Sequence, residues 1–531
     1  MKKFFYAILF LTTFVIACKN FKSKEVDRDT TINSITAFNN LFLDSINVEN
    51  FLATHENFKP YEQQYLNFYK QRNYQYAWFD TSGVTEQSRN FLNLLNNTIN
   101  TLQDSSLYNA ALIESYNKII NAGKKNILKK EIEQTELNLT GQFFAYAAKV
   151  YKGSDINTEE LGWFIPRKKV DLTALLDSTL KNNAKETYAS LNNQYNQLQQ
   201  YLIKYFEIDK FITDTISKVL KPFKKGTTSD SLIAIKNRLF LFGDLEQKDS
   251  TNIFDSALLV AVKKFQKRMG LAVDGSIGNK MIDEINIPIK QRIKQILINM
   301  ERMRWLPVET DSNYIVVNIP EYKMHVYDSG KLQFNMNVIV GKASNSTVIF
   351  TGNLKYIVFS PYWNVPPSIV QKETLPGIKK DPNYLAKNNM EITGKSNGLP
   401  IVRQKPGPNN SLGLVKFLFP NSYDIYFHDT PNHDLFSATS RDFSHGCIRL
   451  SEPKKFAQYL LRKDTATIWK NKVIDSCMHL PTEKWVTLNK SVPVSIVYFT
   501  AWVDGNGLLN FRKDIYGHDA KMSEKLFTKK K

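Results

Sequence analysis

The segments Phe427-His428-Asp429-Thr430-Pro431 and Ser444-His445-Gly446-Cys447-Ile448-Arg449-Leu450 carry the strongest signal in this sequence. The first offers an imidazole and the second a thiol, a pair of groups suited to nucleophilic catalysis. Only the thiolate of a cysteine attacks a carbonyl well, and a nearby imidazole can take up the thiol proton and later return it to a leaving amine. Gly446 allows a tight backbone whose amides face a developing oxyanion.

Three other roles for Cys447 stay open on the residues alone. A single cysteine is often a small buried hydrophobe, although polar residues, Arg441, Asp442 and Ser444, precede this one. Histidines and a cysteine can also bind zinc, but the C-x-x-C and H-x-x-x-H spacings typical of zinc sites do not occur around Cys447. In an oxidising compartment Cys447 can pair with Cys477. We expect instead that Cys477 is simply buried.

The two segments together resemble the catalytic signature of the bacterial L,D-transpeptidases. The His-Asp-Thr-Pro form of the first segment is similar to that of their large periplasmic subgroup, whereas many smaller members have glycine after the first histidine. Two separate motifs agree in order and distance. The resemblance implies a β-sandwich catalytic domain that works through a cysteine thioester, with no metal and no organic cofactor.

The resemblance also implies roles for individual residues. Cys447 is the expected nucleophile and His428 the expected general base and acid, while His445 supports the nucleophile and contacts substrate. The backbone amides of Gly446 and Cys447 are the expected oxyanion donors. Four residues are expected to line the substrate cleft: Arg449, Ser444, Tyr426 and Trp363. For Arg449, a contact to a substrate carboxylate and a structural bridge to Asp429 or Asp442 both stay open.

The N-terminus indicates export. Lys2-Lys3, an apolar run over 4–16 and Ala17-Cys18 are typical of a signal peptide, and the run is too short to span a membrane comfortably. Val15 to Cys18 resembles a bacterial lipobox, which predicts a signal peptide over 1–17, lipidation at Cys18 and a polar tether over 18–33. A plain signal peptide with a chance cysteine is the alternative. No later stretch is long and apolar enough to span a bilayer.

Length and charge set broader limits. A chain of 531 residues is too long for one core and indicates about three domains. The net charge of +19 favours anionic partners. We expect no nucleic-acid binding, because the lysines are scattered and no nucleic-acid-binding signature occurs. A carboxylate-rich polymer and a membrane surface fit this charge equally well.

The first half of the chain is predicted to be helical. Apolar residues recur every three or four positions over 34–225, and this stretch is similar to the helical scaffold region of the large L,D-transpeptidases. Residues 229–287 resemble the small three-helix peptidoglycan-binding domain, with Gly270 as a helix cap and Asp274-Gly275 as a turn. An unrelated helical linker is the alternative for this second unit. A linker helix is expected over 288–312.

Strand-like alternation begins near Tyr314 and predicts the catalytic domain over 313–485. A Pro-, Lys- and Asn-rich insertion at about 364–398 interrupts it; the family likeness implies a cap over the cleft, and a surface loop is the alternative. A C-terminal β-hairpin extension and tail are expected over 486–531. The predicted fold class is therefore a multidomain α+β protein: a mainly helical scaffold, a small three-helix domain and a β-sandwich domain with an inserted cap.

The expected activity follows from the resemblance. An L,D-transpeptidase releases D-alanine from a tetrapeptide stem through a cysteinyl thioester and joins the third residues of two stems. An L,D-carboxypeptidase that uses water and a non-catalytic lipoprotein that tethers the membrane to the wall are the alternatives. A zinc amidase would need His428, His433 and His445 to converge. The expected partners are peptidoglycan stems and glycan, and a membrane through the lipid anchor at the cell envelope. The oligomeric state is not indicated.

Overall fold

The computed structural model describes residues 26–37, 39–122, 128–181, 193–307, 312–464 and 469–527. The predicted signal peptide and Cys18 lie outside the described residues. Contacts divide the chain into two units, one of residues 1–149 and 171–188, the other of residues 150–170 and 189–531. Among the described residues, no helix combines the length and apolar character that a membrane crossing needs.

The described part of the first unit is helical apart from one short hairpin. Two of its described helices begin at capping side chains: the Thr85 hydroxyl accepts from the Ser88 amide, and Asp171 accepts from the amides of Thr173 and Ala174. Its elements are Ser45–Thr54, Glu62–Gln71, the hairpin strands β1 (Phe79–Asp80) and β2 (Gly83–Val84), Glu86–Leu102, Ala110–Ala122, Lys129–Ala147 and Leu172–Leu180, with 3-10 turns at Glu56–Tyr61 and Ser105–Leu107.

A buried carboxylate joins two parts of this unit. Glu136 accepts hydrogen bonds from the amides of Ala77 at 2.6 Å and Trp78 at 2.9 Å, and from the Tyr69 hydroxyl at 3.1 Å. The Trp78 ring is buried between Phe91 and Phe143. Because the carboxylate satisfies amides that would otherwise be buried without partners, it fixes the chain segment that carries Trp78.

Five helices of the described second unit precede its sheet. They are Asn193–Asp209, Ser231–Phe242, Ser256–Arg268, Asn279–Ile285 and Ile289–Trp305. The three short helices between residues 231 and 285 surround Leu239, Phe265 and Ile282, all fully buried. The Asp255 side chain caps the second of them by accepting from the Leu258 amide at 2.8 Å. Glycines 243 and 270, with φ of +85° and +67°, allow the first two helices to end in left-handed turns.

Strands dominate from residue 314 onward. In chain order they are β3 (Tyr314–Asn318), β4 (Lys323–Asp328), β5 (Lys331–Gly341), β6 (Thr351–Phe359), β7 (Trp363–Asn364), β8 (Met390–Ser396), β9 (Leu399–Gln404), β10 (Val415–Leu418), β11 (Phe427–His428), β12 (Asp442–Ser444), β13 (Ile448–Leu450), β14 (Lys484–Val497), β15 (Ala501–Val503) and β16 (Leu509–Phe511). Helices Pro453–Leu461, Asn471–Met478 and His518–Phe527 complete the described part of this unit.

In the part of the chain described, nine strands form one sheet in the order β12-β5-β13-β11-β10-β6-β14-β3-β4. β5 pairs with β4 as well as with β13, so the sheet closes on itself and its two halves face each other across the core. Fully buried side chains fill this core; they include Val317, Met324, Val338, Ile357, Phe417, Phe427 and Ile448. The helical N-terminal region and this strand-rich domain confirm the predicted fold class.

The stretch predicted as a cap has its own small core. Strands β7, β9 and β8 form a three-stranded antiparallel sheet, followed in sequence after β7 by the helical turns Pro367–Ile369, Val370–Thr374, Leu375–Lys380 and Tyr384–Lys387. Val365, Val370 and Val402 are buried together against it. A loop without such a core would have no reason to keep one shape, so this insertion is a folded subdomain.

A single cavity-forming substitution tests the closed sheet. Ile357 is fully buried on β6, so Ile357→Ala is expected to cost about 3 kcal/mol of stability. Lys355→Ala, on an exposed position of the same strand, is the matched control. Hydrogen exchange of the sheet amides in the full chain measures the difference, and equal protection in both variants would contradict this core.

Candidate active site

The register of two neighbouring strands brings the sequence-predicted residues together. β11 and β13 pair in parallel, with Phe427 opposite Ile448 and His428 opposite Arg449. One step back along the same register, the Ile448 amide donates to the Tyr426 carbonyl at 3.2 Å. Because side chains alternate along a strand, Tyr426 and His428 share one face with Cys447 and Arg449 beside them.

The His428 ring is held in one tautomer. It is 4% exposed, and Nδ1 lies 2.5 Å from the Asp429 carbonyl oxygen. A carbonyl can only accept, so Nδ1 carries the hydrogen and Nε2 is left as the basic nitrogen. Burial, with the nearby positive charge of Arg449, lowers the pKa of His428 to about 3. The imidazole is therefore neutral at physiological pH.

The Cys447 sulfur is half-buried against Tyr426. Burial raises the pKa of the Cys447 thiol, and hydrogen bonds from the Tyr426 amide and hydroxyl oppose that rise. The thiol itself points at the Asp424 carbonyl oxygen, 3.6 Å from Sγ. The Tyr426 and His428 rings lie 5.8 Å apart. Thiol and imidazole thus rest as a neutral pair, with the tyrosine against the sulfur.

Arg449 is the charged member of the group. Burial lowers the pKa of its guanidinium. Its Nε is buried and, among the described residues, has no hydrogen-bond partner. The two carboxylates considered as bridging partners are otherwise bonded: Asp429 accepts from the amides of Leu414 at 2.9 Å and Thr430 at 2.7 Å, and Asp442 from Tyr322 and Ser440. A buried donor left open in this way suits an incoming carboxylate.

The backbone before Cys447 is tightly held. Gly446 has a φ of +121°, which a residue with a Cβ rarely adopts. The Ser444 hydroxyl donates to the Cys447 carbonyl at 2.6 Å and accepts from the Gly446 amide at 3.1 Å. Ser444 is therefore a clamp inside the loop. Since the Gly446 amide is engaged by Ser444, an oxyanion role for it requires the Ser444 hydroxyl to give way.

His445 points away from this clamp toward the cap. It is half-exposed, and its Nε2 lies 3.9 Å from a carboxylate oxygen of Glu373 in the cap turn. Trp363 packs with the buried valines of the cap subdomain. The structure thus groups Tyr426, His428, Cys447 and Arg449, whereas His445 and Trp363 belong to the side where the cap lies.

The arrangement does not favour a zinc site. Among the described residues, no three His, Cys, Asp or Glu side chains are grouped as metal ligands are. His433 is placed beside Asp429, with 3.4 Å between Nε2 and Oδ1, and His445 beside Glu373. Cys477 is buried, and both described cysteines are unpaired.

Family models match three consecutive parts of the chain. Residues 312–473 match the model of the L,D-transpeptidase catalytic domain (YkuD), residues 63–202 that of the scaffold domain, and residues 228–285 that of the "Putative peptidoglycan binding domain". The resemblance to the L,D-transpeptidases is confirmed.

Individual proteins are similar to parts of this chain. A curated protein of Haemophilus influenzae named "Putative L,D-transpeptidase" is 32% identical over 248 residues, 43% of this chain and 49% of the relative. The chain thus spans about half the length of that relative. A solved L,D-transpeptidase of Stackebrandtia nassauensis shares 13% identity, with 54% of this chain and 97% of that one covered at a TM-score of 0.22. A solved L,D-transpeptidase of Xylanimonas cellulosilytica shares 14% identity, with 53% of this chain and 100% of that one covered at a TM-score of 0.18.

Several residues of the L,D-transpeptidase domain have no signature in the sequence. Thr347 donates to the Gly446 carbonyl at 2.7 Å, and Asp424 supplies the carbonyl that the Cys447 thiol faces. Asn345 and Thr347 also crowd Gly341, where an added Cβ would overlap the backbone of both. Gly341 at the end of β5 is a clue in the sequence, because a glycine there allows the loop that carries Cys447 to approach closely.

The buried neutral His428 predicts a pH-dependent stability. Its pKa falls from about 6.5 in the unfolded chain to about 3 in the folded protein, so the unfolded state binds more protons between these values. Stability from this group is complete above pH 6.5 and is lost as the pH falls toward 3. Between pH 7.5 and 4.5, the free energy of unfolding of His428→Asn is expected to fall by about 3 kcal/mol less than that of the parent. Denaturant unfolding at the two pH values measures this, and parallel losses would contradict a neutral His428.

The Tyr426 hydroxyl is expected to tune the thiol. Because it donates to the Cys447 sulfur, Tyr426→Phe should raise the thiol pKa and slow alkylation of Cys447 by iodoacetamide at pH 7.5 by roughly three- to tenfold. The difference should vanish at a pH above both thiol pKa values. Tyr459→Phe, whose hydroxyl faces the Tyr327 carbonyl, is the control. A difference that persists at high pH would mean that access, rather than ionisation, has changed.

Proposed function

We propose that this protein is a cysteine-dependent L,D-transpeptidase that remodels peptidoglycan. The observation that carries the proposal is the placement of a neutral, tautomer-fixed His428 beside the Cys447 thiol by two adjacent parallel strands, together with the Arg449 Nε, which has no partner among the described residues. The catalytic, scaffold and peptidoglycan-binding matches support peptidoglycan as the substrate.

The neutral resting pair favours general-base catalysis over a preformed thiolate. In the first step the Cys447 sulfur bonds to the carbonyl carbon after the third stem residue, while its proton passes to His428 Nε2. The bond to the terminal D-alanine then breaks, and that proton leaves on the D-alanine amine. In the second step the side-chain amine of another stem's third residue bonds to the thioester carbon and loses a proton to His428. The carbon–sulfur bond then breaks, and His428 returns the proton to the sulfur, which restores the Cys447 thiol.

The remaining residues bind or stabilise charge in this scheme. The Cys447 amide, and the Gly446 amide once Ser444 releases it, donate to the oxyanion. Arg449 binds a stem carboxylate through its open Nε. His445 and Trp363 contact the substrate on the side of the cap. No metal or organic cofactor enters the scheme.

The domain order suits work on a polymer. The unit at residues 228–285 binds peptidoglycan, and this binding raises the effective concentration of stems near Cys447. Export by the N-terminal signal and lipidation at Cys18 would place the protein at the envelope on a membrane anchor. Water as the acceptor would give L,D-carboxypeptidase activity from the same thioester.

Muropeptide analysis by mass spectrometry tests the proposal. The full chain is expected to release D-alanine and to form third-to-third cross-links, and Cys447→Ala is expected to form none. Cys477→Ala is the matched control, since that buried cysteine lies outside the site. His428→Asn should lower the rate by about 10²- to 10⁴-fold, the usual contribution of a general base.

Three results would change the assignment. Cross-linking by Cys447→Ala would reject the thioester mechanism. If the parent protein neither turns over stems nor forms a carbapenem adduct on Cys447, the non-catalytic wall tether is favoured. Loss of activity in a strong chelator would favour the zinc amidase alternative.

A further inference from the structure

A buried threonine holds the carbonyl next to the nucleophile. Thr347 is 1% exposed, and its hydroxyl donates to the Gly446 carbonyl at 2.7 Å while it accepts from the Gly341 amide at 2.9 Å. This hydroxyl therefore connects the end of β5 to the backbone that carries Cys447. Its two partners are buried, so they would be left unsatisfied without it.

Tyr516 closes the same connection from the C-terminal extension. Its hydroxyl donates to the Gly341 carbonyl and accepts from the Thr347 amide, 3.3 Å away. One side chain thus joins both ends of the turn 341–347, the turn that contacts Gly446. Tyr516 lies outside the residues 312–473 that match the catalytic domain model.

The position of Tyr516 is itself fixed. Its amide donates to the Tyr498 hydroxyl at 2.9 Å, and its ring stacks on Tyr498 at 5.6 Å and meets the edge of His518 at 5.8 Å. Asp519, three residues after Tyr516, accepts from Arg302 at 2.6 Å and from the Thr500 hydroxyl at 2.6 Å. The extension is therefore anchored to the long helix Ile289–Trp305.

We infer that Tyr516 is a positioning residue of the active site, which sets the place of Gly446 and Cys447 through the Thr347 hydroxyl. It touches neither substrate nor the reacting atoms. The inference deepens the proposed function and rests on it for the kinetic part of the test. The alkylation part concerns the loop alone and does not depend on that function.

Loosening the connection should have opposite effects on two reactions of Cys447. Transfer to stems needs the nucleophile in one place, so Tyr516→Phe and Thr347→Val should lower kcat with little change in KM. Alkylation by iodoacetamide needs only access, so it should become faster as the loop opens more often. The loss of one net hydrogen bond corresponds to a change of roughly three- to tenfold in each rate, and Thr347→Val should show the larger effect.

The experiment follows both cysteines in the full chain. Cys477, 5% exposed on the helix Asn471–Met478, reports on unfolding of the domain as a whole and should alkylate at the parent rate in both variants. Thr347→Ser keeps the hydroxyl and should restore the parent behaviour. Tyr459→Phe, a tyrosine elsewhere in the same domain, should change neither reaction.

The outcomes separate this inference from the proposed function. If Cys447 alkylation is unchanged in Tyr516→Phe and Thr347→Val, or if Cys477 is exposed to the same extent, the positioning role is overturned. Failure of Thr347→Ser to rescue would overturn it too. If the parent protein turns over no stems while the alkylation pattern holds, the proposed function fails and the connection stands.

Discussion

The parallel pairing of β11 with β13 is the constraint on which the site depends. It brings His428 and Arg449, and the residues Tyr426 and Cys447 that directly precede the two strands, to one face of the sheet. A 3-10 turn at His433–Ser437 and most of β12 separate the two motifs in the sequence. A shift of one residue would turn the histidine or the cysteine to the opposite face of the sheet. The closed sheet and its buried core stabilise this register. The C-terminal extension adds a second hold on the nucleophile.

Burial sets the resting protonation states of Cys447 and His428. A thiol with a raised pKa and an imidazole with a lowered one form no ion pair at rest, so charge appears only as a bond is made. In a partly water-excluded site that charge needs donors already in place. In the proposed mechanism these donors are the amides of Gly446 and Cys447, and the Ser444 hydroxyl holds the Gly446 amide at rest.

Much of this could be predicted from short stretches of sequence. The two motifs identify His428 and Cys447, because each carries its signature in consecutive residues. Helix caps such as Asp255 and turn glycines such as Gly270 are equally local. The fold class follows from the change in periodicity near Tyr314, since strands and helices alternate apolar residues differently.

The long-range features carry no such signature. Thr347 and Tyr516 reach the nucleophile loop across distant segments, and a single threonine or tyrosine looks the same wherever it points. The same holds for Trp163, which is fully buried against Trp305 in the second unit. The sequence around it has the same helical composition as the first unit, so it does not show that Trp163 belongs to the second. Only tertiary contacts reveal such partners. Sequence patterns record which residues are buried more readily than which residues meet.

The neutral state of Cys447 also bears on how long the protein survives in use. Oxidation to sulfenic acid and exchange into mixed disulfides both begin from the thiolate, as alkylation does. If Cys447 is the nucleophile of the proposed reaction, a thiol with a raised pKa exposes little thiolate between turnovers. At the proposed place outside the reducing interior of a cell, where oxidised cysteines are not readily repaired, this would protect Cys447 from oxidation.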